Sequence, residues 1–137
     1  MNKVFVLDTS AIFTYLESEP GADAVEKILV QAKGKRCEVF VSFITLMEVY
    51  YISWQKKGED TAKELVVFLK SLPINIVESS ERLILSAGRL KANHKLSVAD
   101  AIIASVAIDK SATLVHKDPE LDIVSRYTST LKLPHTV

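Results

Sequence analysis

The sequence has little cysteine, glycine or proline, and no excess charge of either sign. Its single cysteine, Cys37, excludes an internal disulfide and predicts a reducing compartment. Four glycines, none of them clustered, exclude a Gly-rich phosphate loop and with it the usual nucleotide-fold fingerprints. Seventeen Lys and Arg balance seventeen Asp and Glu. That excludes a global polybasic surface, so any contact with nucleic acid has to rest on a local patch. No apolar run is long enough to span a bilayer, and the four apolar residues after Lys3 are too few for a signal-peptide core. Together these absences predict a cytoplasmic protein with no membrane segment. His94, His116 and His135 lack zinc-like spacing with Cys37, and no nucleophile-elbow pattern supports a Ser-His-Asp triad.

What remains is an ordinary globular composition, 48% hydrophobic and 25% charged over 137 residues. It predicts one domain spanning 1–137 with a proper core. Val4 to Leu7 reads as a buried strand ending at Asp8, and Ile12, Phe13 and Leu16 place a helix directly after it. Pro20 and Gly21 punctuate the chain before a second helix carrying Val25, Ile28, Leu29 and Ala32, which stops at Gly34. A second strand covers Cys37 to Phe43, and a helix from about Thr45 to Lys57 is apolar almost all round, as in a buried or interface helix. A helix from Glu59 to Ser71, a short strand over Ile74 to Val77 and a helix from Ser80 to about Lys95 follow. The very apolar helix after Ser97, a strand over Thr113 to His116 and a last strand near Leu131 to Leu133 complete the chain. This alternation predicts an α/β fold with a mainly parallel sheet between two helical layers.

Four acids stand just past, or soon after, predicted strand ends: Asp8, Glu48, Asp100 and Asp118. Each has a structural explanation. Asp8 suits an N-cap, Thr45-Leu-Met-Glu48 and Ser97-Val-Ala-Asp100 match the capping box, and Asp118-Pro119 reads as an N-cap followed by Pro at N1. The combination outweighs these. Glu48 and Asp100 lie among apolar neighbours with no Lys or Arg within reach on their helices, and buried carboxylates need a partner. In parallel sheets ligands gather outside the carboxyl ends of the strands. Several acids converging there suit a hard divalent cation, Mg²⁺ or Mn²⁺, and the chemistry such ions support is phosphodiester cleavage. An aspartate at a strand end also serves phosphoacceptor domains. That reading needs a second acid beside Asp8, where this chain has Thr9 and Ser10.

The runs Val-Leu-Asp8-Thr-Ser10-Ala, Thr45-Leu-Met-Glu48-Val, Leu96-Ser-Val-Ala-Asp100-Ala-Ile-Ile-Ala and Leu114-Val-His-Lys-Asp118-Pro-Glu-Leu-Asp122 together resemble a PIN domain. The similarity is closest to the small toxins of the VapC type. It implies a three-layer α/β/α fold and a Mg²⁺- or Mn²⁺-dependent endoribonuclease. Asp8 and Asp100 match the principal metal ligands, Glu48 and Asp118 their direct or water-mediated partners, and Ser10 the family's hydroxyl in support. The resemblance also implies an RNA substrate, a homodimer and a small antitoxin partner. A catalytically inactive RNA- or protein-binding relative is the alternative. The chain departs from the family at His116, where Thr or Ser is usual, and either Glu120 or Asp122 is a candidate for a further ligand. Lys56, Lys57, Arg89, Lys91, Lys95 and Lys117 are candidate phosphate-holding groups, but an ordinary solvated charge is the better explanation of each, so none is placed in the site.

Overall fold

A computed structural model describes residues 3–135; Met1, Asn2, Thr136 and Val137, part of the expected span of 1–137, lie outside the described residues. The order of elements is β1 (Lys3–Leu7), α1 (Thr9–Leu16), α2 (Ala22–Lys33), β2 (Cys37–Ser42), α3 (Phe43–Lys57), α4 (Glu59–Ser71), β3 (Asn75–Val77), α5 (Glu81–Asn93), α6 (Val98–Asp109) and β4 (Thr113–His116). A 3₁₀ helix (Pro119–Arg126) and β5 (Thr130–Lys132) follow.

All five strands are parallel, in the order β3-β2-β1-β4-β5. Alternation along the strands divides the core in two, because successive side chains point to opposite faces. Val6 and Leu114 join one cluster with Leu83, Leu90, Ile103 and Val106 of α5 and α6. Leu7, Val39, Val41 and Val115 join the other with Ile12, Val25, Leu29, Val49 and Leu69 of the first four helices. The chain is therefore the three-layer α/β/α sandwich that its alternating pattern predicts. With β1 central and β4 beside it, the carboxyl ends of both strands open at one edge. Parallel pairing runs Phe5 to Thr113, Val6 to Leu114 and Leu7 to Val115, so the residues after each strand emerge together.

Most element boundaries lie within a residue or two of the sequence expectation. One difference matters. The helix expected from Thr45 begins at Phe43, capped by Ser42, whose Oγ accepts the Ile44 N–H at 3.3 Å. Thr45 is then an interior, buried position rather than a cap. Nor is α3 sealed all round: Thr45, Val49 and Ser53 face inward, whereas Met47, Tyr51 and Trp54 are exposed. By contrast α6 is buried along most of its length, with Val98 exposed in its first turn. No helix among the described residues is long and apolar enough to cross a membrane.

Candidate active site

The site begins where β1 ends. Asp8 caps α1, its Oδ1 accepting the Ala11 N–H at 2.8 Å, and the residue is only 2% exposed. The Ser10 hydroxyl turns back on the same carboxylate, 2.7 Å from Oδ1 and 2.9 Å from Oδ2. Its oxygen also accepts the Lys117 N–H, from the residue after β4, at 2.9 Å. Ser10 thus ties the ends of two neighbouring strands together across Asp8. Burial outweighs these bonds and lifts the Asp8 carboxyl from 3.8 to about 7; the hydrogen bonds from Ser10 and Ala11 pull the other way, and the charge of Asp118 adds a smaller push upward.

Asp118 caps the 3₁₀ helix, accepting the Glu120 N–H at 2.9 Å. Asp100 reaches the same edge by a different route, from the first turn of α6 with the whole of α5 between it and the preceding strand. Burial is the main cause that pushes Asp100 up to about 8, followed by the charge of Asp118 and a hydrogen bond to it, then by the charges of Asp8 and Glu120. Two carboxyl groups can hydrogen-bond only through a proton held between them. At neutral pH, with Asp100 pushed up to about 8, that proton belongs to Asp100.

Capping explains less of these acids than their spacing suggests. Ser97 does cap α6, its Oγ accepting the Asp100 N–H at 3.1 Å. The reciprocal half of the box is made by Glu120, whose Oε1 accepts the Ser97 N–H. That leaves the Asp100 carboxyl free to face Asp118. Glu48 likewise makes no box with Thr45, because the helix starts earlier. Its Oε1 accepts instead from the Thr9 hydroxyl at 2.6 Å, and Thr9 and Thr45 share a hydrogen bond of 3.1 Å. Glu48 therefore joins the site through Thr9, the neighbour of Asp8.

The structure also separates the residues that the sequence leaves open. Glu120 is beside the site, acting on both Asp100 and Ser97, while Asp122 is turned outward to Lys132 at 3.0 Å. Lys117 is not a solvated phosphate contact: its buried Nζ donates to the Pro20 carbonyl at 2.9 Å and pairs with Glu19 at 3.5 Å. Lys91 is spent on the Leu96 carbonyl at 2.9 Å. His116 is buried, with Nδ1 donating to the Asp118 carbonyl at 3.0 Å, and burial lowers its pKa. The imidazole thus steadies the turn carrying Asp118. Thr9 is the participant the sequence did not reveal; one hydroxyl among several beside Asp8 carries no pattern of its own.

Every donor in this group is a carboxylate oxygen, which suits a hard cation rather than zinc or copper. No three Asp, Glu, His or Cys side chains among the described residues are drawn together into a ready-made metal cage. The donor chemistry nonetheless fits. Asp8 is buried with no cationic partner among the described residues, and a cation beside Asp100 and Asp118 would relieve the repulsion that raises Asp100.

A model of the PIN domain matches residues 5–127. No curated protein matches the chain in sequence. Among solved structures, VapBC2 from Rickettsia felis bound to a DNA fragment from its promoter superposes with a TM-score of 0.78 at 19% identity, covering 96% of this chain and 99% of that one. FitAcB from Neisseria gonorrhoeae gives 0.69 at 18% identity, over 93% and 96% of the two chains. VapC20 of Mycobacterium tuberculosis, described as a toxin that cleaves the sarcin–ricin loop, gives 0.66 at 16% identity, over 89% and 94%. At these identities the likeness is one of fold, whereas the match over residues 5–127 identifies the family. The chain belongs to the PIN-domain family.

Proposed function

We propose that this protein is a Mg²⁺- or Mn²⁺-dependent endoribonuclease, acting as the toxin of a toxin–antitoxin pair. The observation that supports this reading is the approach of Asp8, Asp100 and Asp118 at one sheet edge, where the charge of Asp118 raises both of the others. Asp8 and Asp100 are the principal ligands, and Asp118 and Glu48 complete the set directly or through water. The bound ion supplies charge neutralisation at the phosphate and activation of water for attack. The chain's own groups supply the rest. Ser10 orients the Asp8 carboxylate, Thr9 holds Glu48, and Glu120 relieves Asp100 of any capping duty. No side chain has to form a covalent intermediate.

Protein partners are supported by the exposed apolar row of Met47, Tyr51 and Trp54 on α3 and Val67 and Phe68 on α4. Such a row on one face marks an interaction surface. A homodimer and a small antitoxin both fit it, and several structural neighbours are VapBC or FitAB assemblies. The test is cleavage of single-stranded and looped RNA by the purified protein in Mn²⁺, Mg²⁺ and EDTA, with Asp100→Asn as control. Cleavage that needs the metal and Asp100 supports the proposal. A folded protein that cuts none of the RNAs in either metal is the inactive binding relative instead.

A further inference from the structure

Beside the acids lies a pocket of about 410 Å³ between α1 and α3, with Ser10 and Asp118 in its lining. Ser10 and Phe13 sit on one face of α1, and Glu48, Ile52 and Lys56 recur every fourth residue along α3. Both helices thus lead away from the site with an apolar group next in line. Phe13, Ile52 and Pro119 supply its apolar lining, Glu19 and the Lys117 paired with it also line it, and Lys56 lies about 12 Å along the helix axis from Glu48. His135 closes one side, its Nε2 bonded to the Lys117 carbonyl at 3.0 Å. Glu17 also lines the pocket, and its carboxylate has no hydrogen bond or ion pair among the described residues.

We propose that this pocket receives one unpaired base of the RNA, from the nucleotide next to the cleaved bond, and prefers a base with an exocyclic amino group. The proposal rests on the ribonuclease reading above. A phosphate is the poorer occupant, because Glu17, Glu19 and Asp118 face only Lys56 and a Lys117 already held by Glu19 and the Pro20 carbonyl. A flat base stacks on Phe13, which is how proteins hold unstacked single-stranded bases. Glu17 then accepts from the amino group of cytosine, adenine or guanine, as acidic side chains do from cytosine N4, and uracil has no such donor. The volume is at the lower end of the range of about 300–1,000 Å³ typical of ligand pockets, which suits a single nucleoside. Lys56, exposed beyond the apolar wall, takes the next phosphate along.

The test is fluorescence anisotropy with a short single-stranded RNA in Ca²⁺, scanning an abasic residue through each position, after the cleaved bond has been mapped in Mn²⁺. The pocket predicts one sensitive position adjoining that bond, where loss of the base weakens binding about tenfold. Phe13→Leu should weaken intact RNA about as much and make the abasic substitution there silent. Glu17→Gln should shrink the preference for an amino-bearing base over uracil, and Lys56→Ala should lower the salt slope of binding by about one. Glu17 and Lys56 are exposed, so these two variants carry the test even if Phe13→Leu fails to fold. Cleavage with no sensitive position, or Phe13→Leu weakening intact and abasic RNA alike, overturns the pocket and leaves the ribonuclease reading standing. RNA neither bound nor cut overturns the ribonuclease reading, and the pocket with it.

Discussion

Replacing Asp8 by Asn removes a buried charge while keeping a cap. The Asn oxygen can still accept the Ala11 N–H and the Ser10 hydroxyl, so the local geometry survives. What changes is the response to pH without metal. In the folded chain the Asp8 carboxyl stands at about 7 against an ordinary 3.8. Between those values the folded protein binds a proton that the unfolded chain does not, so its stability falls as pH rises through that window. At about 1.36 kcal/mol per pKa unit, the full gap corresponds to about 4 kcal/mol above pH 7. This is an upper bound, since side chains and water rearrange around the charge. Weaker hydrogen bonds to a neutral acceptor offset about 1 kcal/mol more. Urea denaturation in EDTA at pH 5 and pH 8 reads the difference. Asp8→Asn should match the wild type to within about 1 kcal/mol at pH 5 and exceed it by about 1–3 kcal/mol at pH 8. Adding Mn²⁺ at pH 8 should stabilise the wild type far more than the variant. A variant less stable by the same amount at both pH values would refute the reasoning, because capping alone would then account for Asp8.

Thr9→Val preserves shape but removes the donor to Glu48. RNA cleavage should fall roughly 10- to 100-fold, as losses around ligands commonly do, while circular dichroism stays unchanged. Lys117→Met keeps the buried stem, leaves the Pro20 carbonyl without its donor and takes the cation from Glu19; urea midpoints should report a loss of about 1–3 kcal/mol. Burial lowers the His116 pKa below its ordinary 6.5, so the folded chain resists protonation there and stability is lost as pH falls through and below that value. His116→Thr should flatten this part of the pH–stability curve relative to the wild type, whatever its absolute cost in packing.

Hydrophobic periodicity made the layers legible. The stripe Val25, Ile28, Leu29 and the nearly continuous apolarity of β2 are local patterns with one dominant structural solution. Capping was less legible, because a hydroxyl followed by an acid names a pair without fixing its partners. Thr45 and Glu48 fit that pattern, yet Ser42 starts the helix and Thr9, from a distant segment, takes Glu48. At Ser97 half of the pattern holds and the other half passes to Glu120, twenty-three residues along. The start of the Asp100 helix was legible from Ser97; that this helix start lies at the strand edge, with α5 between it and the preceding strand, is what alternation alone does not reveal. Lys117 looked like any surface cation in sequence; only the fold shows it buried against Pro20. Such choices among long-range partners are tertiary, and no spacing rule encodes them.

The measurement that bears most directly on the account is calorimetric titration of Mn²⁺ into the protein at pH 7, in buffers of different ionisation enthalpy. If the acids hold protons where the ion belongs, binding must release about one proton or more per ion, and Asp100→Asn must weaken binding and reduce that release. Absence of binding, or binding without proton release in the wild type, would contradict the claim that Asp8, Asp100 and Asp118 form a metal centre.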